Sequence, residues 1–547
     1  MRRRLSAIPP RRLAQLILAA AVIAYYVVAE WIVPLPFYSL KYDPEMAYFM
    51  NSLALFKGVP YMYIDHPGTP VEVIGSMLLA LTRPWTRAFG ALFIPYHLAN
   101  PQVFLALAHG FVTLASVVCV ILLARHAVTG ESPRAVMASV AVAVCFFAAY
   151  PSAAFGVLTG WSHNSFAFSF GTLFLGVWAF RLRRETDVSS MEAVIAGAMA
   201  GLLAAVQLYF LAWGLGLVVG LALYGWFRGN GGRAVAARAI AASVGLAAGF
   251  SIGFAPVMFR FREFYLWVDR LLFHQGRYGG GSEGVVEPER WFENLRRLWP
   301  QSPWTFIMTF LIVGLVFVAM RAGKGGPRQH PAWWASALSL LSMLALVWWA
   351  IGKHPGTHYL VAVAAVLPLL LGLALEVLVR REGWGGALAI GAGGLIVASF
   401  AVGGAMSAAG QARTARQIAA AEEILERTFR QYAARLGKDR AQLTILWGYG
   451  VPSRCMALRF GDLSTGLALE DEVDALCPNE WAYEVWGGYV QYPGAHTMAS
   501  VRRPWDLIIV PGRALPLPSE EVGGVLDTGL PTPGYGTIQI LTPPAAP

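Results

Sequence analysis

Long apolar runs, separated by short polar or arginine-rich connections, recur from residue 13 to residue 406. Crossing a hydrocarbon layer of roughly 30 Å takes about 20 helical residues at about 1.5 Å each. Runs at 13–33, 103–124, 135–155, 163–180, 192–206, 208–227, 238–258, 304–320, 332–351, 357–379 and 386–406 are read as spans. The stretch from Met191 to Phe227 is too long for one upright span. Arg181, Arg183 and Arg184 precede it and Arg228, Arg233 and Arg238 follow it, so both flanks fall on one side. A helical hairpin turning near Gln207 meets that requirement.

With this hairpin, the short basic connections all share a side: Arg11 and Arg12, Arg125 and Arg134, the two clusters above, Arg321 to Arg328, and Arg380 with Arg381. The positive-inside rule then makes the amino terminus cytoplasmic. An odd number of spans puts the carboxy-terminal segment outside, with loops 34–102 and 259–303 and the turn 352–356. The first apolar run has no small-residue cleavage site and more spans follow, so it reads as an anchor. Residues 1–409 are expected to form the transmembrane domain and 410–547 an extracytoplasmic domain.

Beyond residue 410, apolar residues at Ile418, Ile424, Leu425, Phe429, Tyr432 and Leu436 keep a helical period that stops at Gly437. The runs "LTILWGY", "DLIIVPG" and "GTIQILT" then read as strands, which predicts a small α/β domain. Trp481, Tyr483, Trp486, Tyr489 and Tyr492 fit a domain core or membrane-surface rest better than a carbohydrate-stacking face.

Composition agrees with this architecture. The 547 residues are 56% hydrophobic and 14% charged, with a mean hydropathy of +0.53, a balance that a water-soluble domain cannot bury. The fold class is a polytopic α-helical membrane protein of about 11 transmembrane helices with a small C-terminal α/β domain. Its net charge of +10 is mostly topogenic arginine and does not point to nucleic acid. Cys119 and Cys145 fall inside spans as packing residues. Cys455 and Cys477 fall in the outer segment, where an oxidising compartment permits a disulfide without requiring one.

Candidate chemistry gathers on the predicted outer side. "YDPEMAYFMNSLALFKG" follows the first span and carries Tyr42, Asp43 and Glu45, with Met46, Phe49, Met50, Leu53 and Phe56 as an apolar stripe. The stripe suggests a helix along the membrane surface, and Asp43 can be its N-cap, with Pro44 in the first turn. "HPGT" occurs at His66 to Thr69 and at His354 to Thr357. Thr69 with Glu72 reads as a capping box, and Thr357 can cap the span beginning at His358. Capping does not account for Asp65 and His66, or for Lys353, His354, His358 and Tyr359 around the second copy, and ionisable residues clustered at a membrane face mark a site. "TGWSHNS" adds Trp161, His163 and Asn164, although a tryptophan here also fits the interfacial belt. Loop 259–303 carries Arg260, Arg262, Arg270, Arg277, Arg290, Arg296 and Arg297, on the side where the positive-inside rule depletes arginine. Arginine binds phosphate in a planar, bidentate way; solvated loop charge is the alternative.

These segments together resemble the GT-C superfamily of membrane glycosyltransferases, in particular the family 39-like branch that includes protein O-mannosyltransferases and lipid A aminoarabinose transferases. "YDPEMAYF" matches the acid-bearing first external loop and "DHPGTP" the turn into an apolar helix. This chain has Asp-Pro-Glu where many relatives have adjacent acids, and His-Pro-Gly where relatives often have Lys-Pro-Pro. The resemblance covers about residues 10 to 410. It implies transfer of a sugar from a polyprenyl-phosphate donor to a lipid, glycan or protein acceptor at the outer face of a bacterial-type plasma membrane, with inversion. Asp43 would be the general base, with Glu45 beside it. Arg260, Arg262, Arg270, Lys353 and His354 would hold the donor phosphate. Tyr42, Asp65, His66, Trp161, His163, Asn164, His358 and Tyr359 would contact substrate. A divalent cation near Asp43 and Glu45 is left open, since arginine and lysine alone can neutralise a monophosphate.

Other classes stay in view. A glycan polymerase or ligase would use a lipid-diphosphate donor. A transporter of lipid-linked saccharides would place ionisable residues at mid-membrane and often show inverted repeats, and an assembly subunit would tolerate neutral replacement of the loop acids.

Overall fold

The computed structural model describes residues 9–32, 34–39, 42–64, 68–88, 90–129, 132–148, 160–182, 187–273, 287–323, 326–380, 384–483, 489–492, 495–497, 505–511, 523–532 and 536–542. Its helices are α1 (Pro10–Val27), α2 (Tyr42–Ala54), α3 (Thr69–Leu81), α4 (Pro101–His126), α5 (Pro133–Ala148), α6 (His163–Leu182), α7 (Ser190–Val206), α8 (Leu211–Phe227) and α9 (Gly232–Phe254). They continue with α10 (Phe261–Phe273), α11 (Pro288–Leu298), α12 (Pro303–Ala322), α13 (Pro331–Lys353), α14 (Leu367–Leu378), α15 (Trp384–Leu436), α16 (Arg454–Ser464) and α17 (Glu470–Leu476). Among the described residues, 8 helices are long and apolar enough to cross a membrane, and α5 and α7 are shorter apolar helices. With the first half of α15 these coincide with the eleven stretches read from the sequence. The molecule is a polytopic helical membrane protein with a small α/β domain.

The hairpin at Gln207 is present: α7 ends at Val206, a 3-10 turn covers Leu208–Phe210, and α8 begins at Leu211. Helices α7 and α9 approach until backbones touch. A Cβ on Gly197 would stand 2.1 Å from the Ala242 carbonyl oxygen, and one on Gly249 would stand 2.0 Å from that of Ala198. Small residues allow such close packing where lipid offers no hydrophobic drive between helices.

Hydrogen bonds sort the connections onto two ends of the bundle. At one end Arg11 donates to the Arg125 and Val128 carbonyls, Arg380 to Thr129, and Arg238 to Asp187. At the other, Arg260 reaches the Met62 carbonyl, His354 the Leu271 carbonyl, and Asn51 the hydroxyl of Ser464. The described parts of loop 34–102, the segment after residue 259, the 354 turn and the carboxy-terminal domain therefore share one end.

Three local expectations are corrected. Met46, Phe49, Met50 and Leu53 are buried, but so are Ala47, Tyr48, Asn51 and Ser52 on the other sides of α2. The helix is thus sandwiched between the spans and α16 of the carboxy-terminal domain, and does not lie open on a membrane surface. Gly461 of α16 permits the contact, because a Cβ there would meet Met50 Cγ at 2.5 Å and the Met46 carbonyl oxygen at 3.0 Å. The second correction is to the capping box at Thr69. Gly68, at φ +66°, is the N-cap of α3, and no side chain caps the helix. Tyr48 packs so closely on Gly68 that a Cβ would lie 2.4 Å from its ring, and Glu72 is turned into the interior, fully buried. Thirdly, Thr357 opens a 3-10 turn after Gly356 and makes no side-chain cap.

The carboxy-terminal domain contains the three strands expected, β1 (Ile445–Gly448), β5 (Leu507–Pro511) and β7 (Gly536–Thr542), with β2 (Glu480–Tyr483), β3 (Tyr489–Tyr492), β4 (Ala495–Thr497) and β6 (Gly524–Thr532) added. The described sheet has the order β4-β3-β2-β1-β5-β7-β6. Strand β1 runs parallel to both β2 and β5, and the other pairs are antiparallel. Four of the five aromatics singled out above are strand residues in β2 and β3, and Trp486 lies outside the described residues. Cys455 and Cys477 form a disulfide that ties α16 to the segment before β2. The span and the amphipathic stretch on either side of residue 410 are one uninterrupted helix of 53 residues.

Candidate active site

The acid-bearing segment folds as α2 from Tyr42, which places the backbone of Asp43 in its first turn. The side chains of Tyr42 and Asp43, like residues Asp65 and His66, lie outside the described ones. Glu45 is described and is only 7% exposed. Its Oε1 accepts from the backbone N–H of Trp161 at 3.0 Å and lies 3.3 Å from His109 Nε2. The other ring nitrogen, Nδ1, lies 2.8 Å from Glu30 Oε1. A carboxylate can only accept, so with both carboxyls ionised the ring donates from both nitrogens, which only an imidazolium can do.

Glu30 sits in a π-helical turn, Val28–Ile32, that ends the first span. Such turns widen a helix by one residue and re-aim a side chain, often at a functional site. Glu30, Glu45 and His109 line a pocket with Ser39, Phe37, Gln102 and Gln411. Among the described residues, no arginine or lysine lines it. The pocket therefore suits a neutral or cationic polar group, one that donates hydroxyl hydrogens to carboxylates and amides, better than a phosphate.

Sequence reading did not single out Glu30, His109, Gln102 or Gln411. One signal was present: His109 interrupts the apolar run "LALAHGFVTL", and an ionisable residue inside a span marks a site by default.

The remaining candidates take three places. Trp161 is fully buried, its ring edge-on to Phe104 at 5.8 Å between centroids, so it contributes its backbone amide to the pocket. His163 Nδ1 is 2.8 Å from the Tyr48 hydroxyl, behind α2, and the side-chain oxygen of Asn164 is buried nearby in sequence. Lys353, His354, His358 and Tyr359 lie at the end of α13 and just beyond. There Tyr359 stacks on Tyr209 at 4.2 Å, Tyr209 donates to the His354 carbonyl at 3.2 Å, and His354 Nε2 lies 2.7 Å from the Leu271 carbonyl oxygen. Helix α10 connects these regions: Arg260 before it bonds the Met62 carbonyl and Glu263, while Arg262 and Arg270 are exposed.

No family model matches the chain, and no curated protein matches it in sequence. The chain is similar to the crystal structure of ArnT from Cupriavidus metallidurans bound to undecaprenyl phosphate. That similarity has a TM-score of 0.49 at 12% identity and covers 96% of this chain and 97% of that one.

For a divalent cation the described residues offer no group of three or more His, Cys, Asp or Glu around one point. The Glu30, His109 and Glu45 atoms that face one another are held by hydrogen bonds. Behind them, burial pushes the Glu72 carboxyl well above the usual carboxylate range, and both its oxygens lack a hydrogen-bond partner.

Proposed function

We propose that this chain is a membrane glycosyltransferase of GT-C type that moves a sugar from a polyprenyl-phosphate carrier to an acceptor hydroxyl at the outer face of a bacterial-type plasma membrane. The observation that carries the reading is the burial of Glu45, from the Asp-Pro-Glu segment, in a carboxylate-lined pocket at the end of an apolar bundle. A lipid-linked sugar needs apolar walls for its tail, hydrogen-bond acceptors for its hydroxyls and positive charge for its phosphate, all at one height.

In this reading the acceptor oxygen attacks the anomeric carbon, the bond from that carbon to the phosphate oxygen breaks, and Asp43 takes the hydroxyl proton. Glu45 Oε1 is already engaged by the Trp161 N–H and His109, which suits it to anchoring more than to proton transfer. Arg262, Arg270 and Lys353 would stabilise the departing lipid phosphate, with Arg260 bracing the loop at Met62.

The test is transfer of radiolabelled sugar from a panel of polyprenyl-phosphate donors by full-length protein in lipid, wild type beside Asp43→Asn. Transfer by wild type, with at least a 100-fold loss in a folded variant, is expected. Unchanged activity in the variant would remove Asp43 as base. Release of no carrier phosphate by wild type from any donor would favour a diphosphate donor or transport.

A further inference from the structure

His109 is placed where three separate elements meet. It lies on α4, its two ring nitrogens face Glu30 at the end of the first span and Glu45 on α2, and Glu45 in turn holds the Trp161 amide that precedes α6. All three side chains of the trio are largely buried, with exposures of 12% for His109, 19% for Glu30 and 10% for Glu45. Two carboxylates so close to one imidazole would repel each other and face an unfavourable loss of water without a cation between them. With both carboxyls ionised an imidazolium would supply that cation, and the ring, engaged at both nitrogens, fixes the direction of both side chains.

Helix α2 begins beside this trio, and Asp43 stands two residues before Glu45 in the same first turn. The helix is braced from its other side by Gly461 and Ser464 of the carboxy-terminal domain. Its first turn is held on the pocket side by Glu45.

We infer that His109 is the positioning residue of the pocket: it clips Glu45 of the acid-bearing helix to Glu30 of the first span, and so sets where the Asp43 turn stands. The inference rests on the proposed role of Asp43. A clip of this kind acts on orientation, so its loss lowers turnover while leaving the affinity for a lipid-linked donor, set mostly by tail and phosphate, nearly unchanged.

The experiment uses full-length protein in lipid, with H109Q, E30A and the double variant E30A/H109Q. It reads steady-state kinetics and the hydrogen exchange of a peptide containing the Trp161 amide. The expected result for H109Q is a kcat at least 10-fold lower with donor KM within twofold, and faster exchange at Trp161. The double variant should be no slower than H109Q alone, because Glu30 acts through the same ring. A kcat within twofold of wild type with unchanged exchange would overturn the inference, as would a raised KM at constant kcat, which would make His109 a binding residue. Should H109Q fail to fold, E30A carries the same readouts with His109 still bonded to Glu45, and wild-type kcat and exchange in E30A would overturn the clip. If wild type transfers no sugar, the proposed function fails by itself, and the exchange arm still decides whether the clip holds α2.

Discussion

Asn51 Nδ2 donates to Ser464 Oγ at 2.8 Å, joining the helix after the first span to the carboxy-terminal domain across 413 residues of chain. The same amide group donates to the Ala47 carbonyl at 3.0 Å, and its Oδ1 accepts from the Met62 and Tyr63 backbone N–H groups at 2.9 and 3.3 Å. One side chain, 1% exposed, thereby holds α2, the loop that Arg260 braces, and α16.

Asn51→Ala leaves two backbone donors and the Ser464 hydroxyl without this partner. At roughly 1 kcal/mol per lost bond, and more where a group stays buried and unsatisfied, the loss is about 2–4 kcal/mol. A lower thermal midpoint of the intact protein in lipid, together with faster hydrogen exchange at residues 62 and 63, checks it.

Removing the disulfide should loosen the carboxy-terminal domain alone. Cys455 and Cys477 are separated by 22 residues, and closing a loop of that size constrains the unfolded chain by about 3 kcal/mol. In C455S/C477S, protease cleavage between β1 and β2 should accelerate while exchange in α7 and α9 stays as in wild type. Equal loosening of both regions would show that the two parts unfold together.

Asp462 of α16 gives the carboxy-terminal domain a pH dependence. Burial pushes its carboxyl up to about 6, against lowering by the Leu469 N–H and Thr465 hydroxyl that bond it. The native carboxyl therefore holds its proton more tightly than the unfolded one, whose ordinary value is 3.8. Stability gained from this group is fully present below the unfolded value and is lost as pH rises through about 6. Lowering the pH from 7 to 4 should add on the order of 2–3 kcal/mol relative to D462N. Chemical denaturation of both proteins across that range isolates the difference, and parallel curves would contradict it.

Gly249→Leu should separate α7 from α9. The Cβ alone would stand 2.0 Å from the Ala198 carbonyl oxygen, and the opposing atoms are backbone that cannot rotate away. Loss of folded protein after extraction, against full recovery of Gly314→Leu at a helix position open within 4 Å, is the expected comparison.

Most of the membrane architecture was legible because hydropathy and arginine placement act over whole spans. The Gln207 hairpin came from the length of the apolar run together with the arginines on both its flanks, since Gln207 alone does not end a helix. Strands β1, β5 and β7 were legible as buried aliphatic runs bounded by turns. Strands β2 and β3 were not, because their Trp481, Tyr483, Tyr489 and Tyr492 satisfy a strand, a core or an interface equally well. Composition changes at Gly410, but a helix backbone needs no constant composition, so the continuity of α15 through that point was not legible. In the candidate site, Glu45 was legible from its neighbours in the chain. Its partners were not: Glu30 lies 15 residues before it and His109 lies 64 after, and only the packing of α1, α2 and α4 brings them together.

The length of α15 has a mechanical consequence. At about 1.5 Å per residue its 53 residues make a rod roughly 80 Å long, with one end among the spans and the other under the carboxy-terminal sheet. Gln411, near its middle, forms part of the pocket wall and accepts a hydrogen bond from Tyr25. Tilting the rod by roughly 5° about its first turn would carry the far end through roughly 7 Å and Gln411 through about half of that. The carboxy-terminal sheet and the pocket wall thus hang on one continuous helix, and a tilt of that helix moves both together.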